Sequence, residues 1–209
     1  AFFCQNYFRC FQLFPKASLA KNIFRHIPIF SNCLIASIPS FGYAIAQEVR
    51  IMADEEKKDF NAMLNDSKDM PKIQIITDEK SILKYGGDRM YFAPPMDYDR
   101  VMRLVPFGKL LTVGAIREYF ARQSGADFTE PITAGIFVSI AAWASFQRTD
   151  RRTPYWRTLK AGGELNAKFP GGIEAQKELL EKEGHTVIQK GRTNIRYYVR
   201  DYEKALFEL

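Results

Sequence analysis

Residues 153–160 read Thr153-Pro154-Tyr155-Trp156-Arg157-Thr158-Leu159-Lys160, and Phe169-Pro170-Gly171-Gly172-Ile173 follows shortly after. The first stretch sets a phenol, an indole and a guanidinium side by side behind a proline. The second places a ring and a proline ahead of a glycine pair that opens a helix. Rings of this size are most often core residues, and that reading stands beside any chemical one. Other reactive combinations are sparse. Cys4, Cys10 and Cys33 all fall in the leading segment at spacings that match no metal pattern. With His26 and His185 the only histidines, a zinc site is not expected. Neither a Walker-type phosphate loop nor a dinucleotide fingerprint occurs, so no cofactor is expected.

The elements that must position these residues occupy only part of the chain. At 209 residues it is one domain, or one domain with extensions. The net charge of +6 suits a polyanionic partner, but Arg9, Lys16, Lys21, Arg25 and Arg50 face only Glu48 in the first fifty residues. The remainder is nearly balanced, so an argument for nucleic acid must come from where the charges lie. Residues 1–51 are rich in Phe, Ile, Ser and Cys and almost free of acids, and they read as a foreign extension, disordered or not native. Three origins stay open: a basic targeting segment, a signal peptide ending at Ala44-Ile45-Ala46, or an upstream extension before a true start at Met52. Ser31, Asn32, Pro39 and Gly42 interrupt its apolar stretch, so no membrane span is expected. Residues 52–95 read as an acidic and basic tail with a short strand at 72–77, the run 52–69 being either a short helix or a flexible tail.

From Met96 to Leu209 the pattern is that of a folded domain. Asp97 is placed to cap a helix whose Tyr98, Val101, Met102 and Val105 share one face. Thr112 caps a second helix with Val113, Ile116 and Phe120 inward, ended by Ser124-Gly125. Thr129 is placed to cap a third, opened by Glu130-Pro131 and rich in small residues. Two helices joined by a short turn, the second small-faced, form a helix-turn-helix pattern; close packing against a neighbour is the alternative. A basic loop, Gln147-Arg148-Thr149-Asp150-Arg151-Arg152, follows, and its arginines can neutralise phosphates. A last helix, 173–183, precedes two strands joined through Lys190-Gly191-Arg192-Thr193. One face of that hairpin carries Arg196, Tyr198 and Arg200, as a wing along a backbone would, or as solubility charges would. The expected fold class is α+β, a small winged-helix-like (helix-turn-helix) domain with a C-terminal β-hairpin.

The 153–160 stretch belongs to an ordered set of short motifs. Val105-Pro106-Phe107-Gly108-Lys109-Leu110-Leu111-Thr112 lies upstream and Leu179-Leu180-Glu181-Lys182-Glu183-Gly184-His185 downstream. Together, over about 98–185, they resemble the DNA-binding domain of the O6-alkylguanine-DNA alkyltransferase family, and more closely its cysteine-lacking alkyltransferase-like proteins. Active members carry Pro-Cys-His-Arg; here the cysteine position is Tyr155 and the histidine position Trp156, while Arg157 and Glu183 match. Attack on a neutral alkyl carbon requires a thiolate, and a phenol of ordinary pKa near ~10 is a poor substitute. No catalytic residue is therefore assigned. Glu183, without its histidine, reads as a leftover surface or packing residue. The family's duplex-opening arginine aligns with Ile132, and an aromatic that helps rotate the base out aligns with Val113. An apolar side chain can still wedge between base steps, without the hydrogen bonds an arginine would give the orphaned base.

The resemblance implies a non-catalytic protein that binds double-stranded DNA, recognises O6-alkylguanine and hands it to excision-repair proteins. It would act as a monomer, in the cytoplasm or on a bacterial nucleoid, with the third helix in the minor groove. Lys109, Thr112, Val113, Ile132, Thr133, Arg148, Arg151, Arg152, Arg157, Lys190 and Arg192 are the implied DNA contacts. Tyr155, Trp156, Phe169 and Pro170 would line the pocket for an extruded base, where stacking contributes roughly 1–3 kcal/mol. The alternative is a structural or protein-interaction module whose pocket Tyr155 and Trp156 have filled.

Overall fold

The structure, a computed structural model, describes residues 57–209; the expectations for residues 1–51, the three cysteines among them, lie outside the described residues. Its centre is a largely buried, strongly apolar helix. In α5 (Pro131–Gln147) Ala134, Val138, Ile140 and the run from Ala141 to Ser145 are buried. A helix apolar almost all round belongs inside, and its alanines let neighbours approach closely. Three do so: α1 (Phe60–Asn65), α3 (Pro95–Arg103) and α4 (Val113–Ser124). Tyr98, Val101, Met102 and Val105 are buried as their spacing predicts, and so are Ile116 and Phe120 of α4.

The short-helix alternative for 52–69 holds at 60–65, but the placing of this region outside the folded domain is corrected over its described part. Phe60 stacks on Trp143 with centroids 5.5 Å apart, and Leu64 is buried beside it. Gln147 clamps the start of α1, accepting from the Phe60 N–H at 3.1 Å and donating to the Lys58 carbonyl at 2.7 Å. Two large apolar residues at i and i+4 were enough to bury one helical face inside an otherwise charged run. The predicted strand exists as β1 (Lys72–Ile75) and pairs antiparallel with β2 (Arg89–Phe92), the two being separated by α2 (Glu79–Tyr85). In turn β2 runs parallel to β4 (Phe128–Thr129), which stitches this region into the turn between α4 and α5.

Two expected caps are also corrected. Asp97 lies inside α3, which begins at Pro95 after a Pro94 cap, and it pairs with Arg100 instead. A proline pair presets the backbone one turn earlier than a side-chain cap would. At α5 the cap is Glu130, whose carboxylate accepts from the Ile132 and Thr133 N–H groups, while the Thr129 hydroxyl donates to the Arg117 carbonyl. Thr112 does cap α4, accepting from the Ala115 N–H at 3.1 Å.

The second half of the domain is held by short pairings. Strand β3 (Leu111–Thr112) runs parallel to β5 (Thr158–Leu159). The C-terminal segment adds alongside: Leu110 N–H donates to the Ala205 carbonyl at 2.8 Å and Phe207 N–H to the Leu110 carbonyl at 2.7 Å. Helix α6 (Gly172–Lys182) and the hairpin of β6 (Val187–Lys190) with β7 (Arg196–Val199) close over a second apolar cluster of Leu110, Leu159, Leu165, Leu180 and Val199.

Candidate nucleic-acid interface

After Pro154 the chain makes one 3-10 turn, Tyr155–Arg157, before entering β5. That turn sends Tyr155 inward, where it is only 7% exposed. Its ring meets Trp156 and Phe169 edge to face, each at 5.5 Å, and Phe169 is 2% exposed. Pro170 is buried and Trp156 half-buried. Burial pushes the Tyr155 phenol up to about 12 against a smaller opposing effect of the Arg152 charge. At neutral pH it is a protonated hydroxyl, unsuited to nucleophilic work. The four residues expected to line a base pocket are thus brought together, but Tyr155, Phe169 and Pro170 are interior residues filling space with their own rings.

Of the surface and packing roles expected of Glu183, it has the packing one. Its side chain is buried at the end of α6, where the Arg157 guanidinium meets it through Nε at 2.9 and 3.0 Å and Nη2 at 2.9 Å. Trp156 Nε1 donates to it at 2.7 Å and the Gly108 N–H at 3.1 Å. Burial alone would raise this carboxyl; the hydrogen bonds from Arg157, Trp156 and Gly108, with the Arg157 charge, outweigh it and hold the pKa below the ordinary value. Arg157 Nη1 also donates to the Val105 carbonyl at 2.7 Å, and the guanidinium lies beneath the exposed ring of Phe107. Only 12% exposed and committed to Glu183, it is turned inward, which counts against the phosphate contact expected of it. Gln176, fully buried on α6, completes the clamp by donating to the Trp156 and Thr158 carbonyls and accepting from the Asn166 N–H. A sequence signal for it existed: Ile173, Gln176 and Leu180 fall on one helical face, and an amide in such a core stripe needs partners.

The same counts against Arg148. Asp99, fully buried on α3, receives Arg148 Nη2 at 2.8 Å and Nη1 at 3.3 Å, the Thr153 hydroxyl at 2.6 Å, and Arg103 from its own helix. This network ties the end of α5 to the chain entering the Tyr155 turn. The role of Arg148 here is structural, and its engagement with a buried carboxylate counts against the phosphate contact expected of it.

The remaining expected contacts are at the surface. On α5 Ile132 is 72% exposed and Ile136, one turn on, 48% exposed, with Gly135 between them open enough that an added Cβ meets nothing within 4 Å. Thr112, Val113 and Thr133 are partly buried near the starts of α4 and α5, and Val113 packs on the core. Lys109, Arg151, Arg152, Lys190 and Arg192 are exposed, Arg152 donating Nε to the Arg148 carbonyl at 2.9 Å. Against this, the Glu130 carboxylate already occupies the positive N-terminus of α5, so that end offers no phosphate site. Among the described residues no helix is long and apolar enough to cross a membrane, and no group of three His, Cys, Asp or Glu could hold a metal.

No family model matches this chain, and no curated protein matches it either. Two solved structures are similar to it. One is Atl1 of S. pombe in complex with damaged DNA containing O6-carboxymethylguanine, at 18% identity and a TM-score of 0.39, covering 55% of this chain and 94% of that one. The other is S. pombe ATL in complex with DNA, at 19% identity and a TM-score of 0.38 with the same coverage. At so low an overlap the function has to be argued from this chain's own residues.

Proposed function

We propose that this chain is a non-catalytic protein of the alkyltransferase-like type that binds duplex DNA through the exposed face of α5, without holding an extruded base. The observation that carries the reading is the pair Ile132 and Ile136, exposed on a helix whose other large apolar residues are buried or partly buried. Leaving two isoleucines in water on so apolar a helix is unfavourable by the area they fail to bury. Small neighbours let that ridge approach a narrow groove, where apolar side chains wedge between base steps. Lys109, Arg151 and Arg152 are exposed and suited to phosphates, which position a protein without reading sequence. The motif resemblance and the loss of the sulfur nucleophile point the same way.

Lesion capture is a finer step that would require Tyr155 and Phe169 to part. The second reading, a protein-interaction module with a filled pocket, is favoured by those buried rings and by the Glu130 carboxylate at the tip of α5. Binding of matched duplexes with and without O6-methylguanine, titrated with salt, separates the outcomes. Equal, steeply salt-dependent affinity for both, weakened by Ile132→Glu, is the expected result. Strong preference for the lesion, lost in Trp156→Ala, would restore the pocket. No binding to either duplex at low salt leaves the interaction module.

A further inference from the structure

Residues 187–200 contain Lys190, Arg192, Arg196 and Arg200 and no carboxylate. The register of the hairpin sorts them. Val187 pairs with Val199 and Gln189 with Tyr197, and this face packs on the second core cluster. Ile188 pairs with Tyr198 and Lys190 with Arg196, so those residues and Arg200 share the outer face. Anchored on one side, the ribbon presents Lys190, Arg196 and Arg200 on the other, with Arg192 in the turn between the strands. Gly191 makes the turn possible: its φ of +100° is a conformation other residues rarely adopt, and a Cβ there would stand 2.2 Å from the Asn194 carbonyl oxygen.

The charge arrangement is unfavourable for an isolated hairpin. Lys190 lies directly across from Arg196, and like charges at opposed positions destabilise a strand pair. Arg196 is partly relieved by Glu164 at 3.2 Å, and Lys190 lies over the Tyr198 ring at 5.0 Å. Arg192 and Arg200 have no ion-pair partner among the described residues. Surface charges serving solubility are ordinarily interspersed in sign, whereas those on this ribbon are all positive. From Arg196 to Arg200 the strand advances about 13 Å, which is about four nucleotide steps of axial rise along one strand of a duplex. The outer face offers no ridge of large exposed apolar residues of the kind that inserts into a lipid interface.

We propose that the outer face of the β6–β7 hairpin is a second DNA contact, lying along the phosphate backbone beside the groove entered by α5. It rests on the reading above and extends the footprint beyond the helix. Its test is a salt titration of the full chain with a short duplex, from about 50 to about 200 mM. Wild type is compared with Lys190→Gln/Arg192→Gln/Arg200→Gln and with Ile132→Glu. Each phosphate contact contributes about 0.9 to the slope of log affinity against log salt, so the triple variant's slope falls by about 2.7. Over that fourfold change of salt the triple variant then loses roughly forty-fold less affinity than wild type. Lysine at 192 and 200 in place of arginine keeps the slope, and Glu164→Gln, which frees Arg196, tightens binding. Ile132→Glu, by adding a carboxylate to the α5 face, weakens binding throughout the titration. A triple variant with the wild-type slope and an unchanged urea midpoint overturns the hairpin contact while leaving α5 binding intact. A wild type that does not bind the duplex at all overturns both, as does triple-sensitive binding to phosphatidylserine vesicles without duplex binding.

Discussion

Replacing Glu183 by alanine would leave the Arg157 guanidinium, only 12% exposed, with the Val105 carbonyl as its one remaining acceptor. The Trp156 and Gly108 N–H groups would lose their acceptor at the same time. Removing one member of a buried ion pair costs about 3–5 kcal/mol, because the partner stays desolvated and uncompensated. We expect Glu183→Ala to lose about 4 kcal/mol, which at a slope of about 2 kcal/mol per molar moves the urea midpoint by about 2 M. Arg157→Met/Glu183→Leu, which removes both charges and retains volume, should be less costly than the single change. A double-mutant cycle then gives a coupling of about 2–3 kcal/mol. The pH dependence has a definite sign. The folded-state pKa of Glu183 is below the ordinary 4.5, so its stabilisation is complete above that value and is lost as pH falls through the folded value. The stability gap between wild type and Glu183→Gln should therefore close in acid. A Glu183→Ala loss below about 1 kcal/mol at neutral pH, the range of exposed pairs, would refute the hub.

His185 presents the opposite kind of titration, since burial, reinforced by the Arg157 charge and opposed by Glu183, lowers its pKa below 6.5. The neutral ring is the folded form, so its contribution is complete above 6.5 and declines as pH falls toward the depressed value; His185→Gln should flatten that part of a stability profile. Arg148→Met should cost about 3 kcal/mol by urea denaturation, having abandoned buried Asp99, while leaving the salt slope of DNA binding unchanged. Arg151→Gln/Arg152→Gln should do the reverse, and a slope change from Arg148 alone would contradict its structural assignment.

The charged residues show where sequence reading stopped. Lys109, Arg148, Arg151, Arg152 and Arg157 look alike as letters in a basic chain. Arg148 and Arg157 are distinguished only by Asp99, forty-nine positions from one, and Glu183, twenty-six from the other. Neither separation carries a local signal, whereas the caps at Thr112 and Gly125 and the apolar faces of α3 and α4 do. At 57–95 a short helix and a strand are legible, but solvated composition masks two core residues, Phe60 and Leu64, whose partner Trp143 lies far along the chain.

By itself the sequence determined the α+β class, the order of the helices from 96 onward, the closing hairpin and the absence of any cysteine beyond Cys33. These follow from periodicity, turn residues and residue identity, which are properties of neighbours in the chain. Tertiary structure decided which cations are spent holding buried carboxylates, that the rings at 155 and 169 fill the interior, and that Ile132 and Ile136 are left outside. Burial and charge pairing depend on distances between residues remote in sequence, and only the folded chain sets those distances.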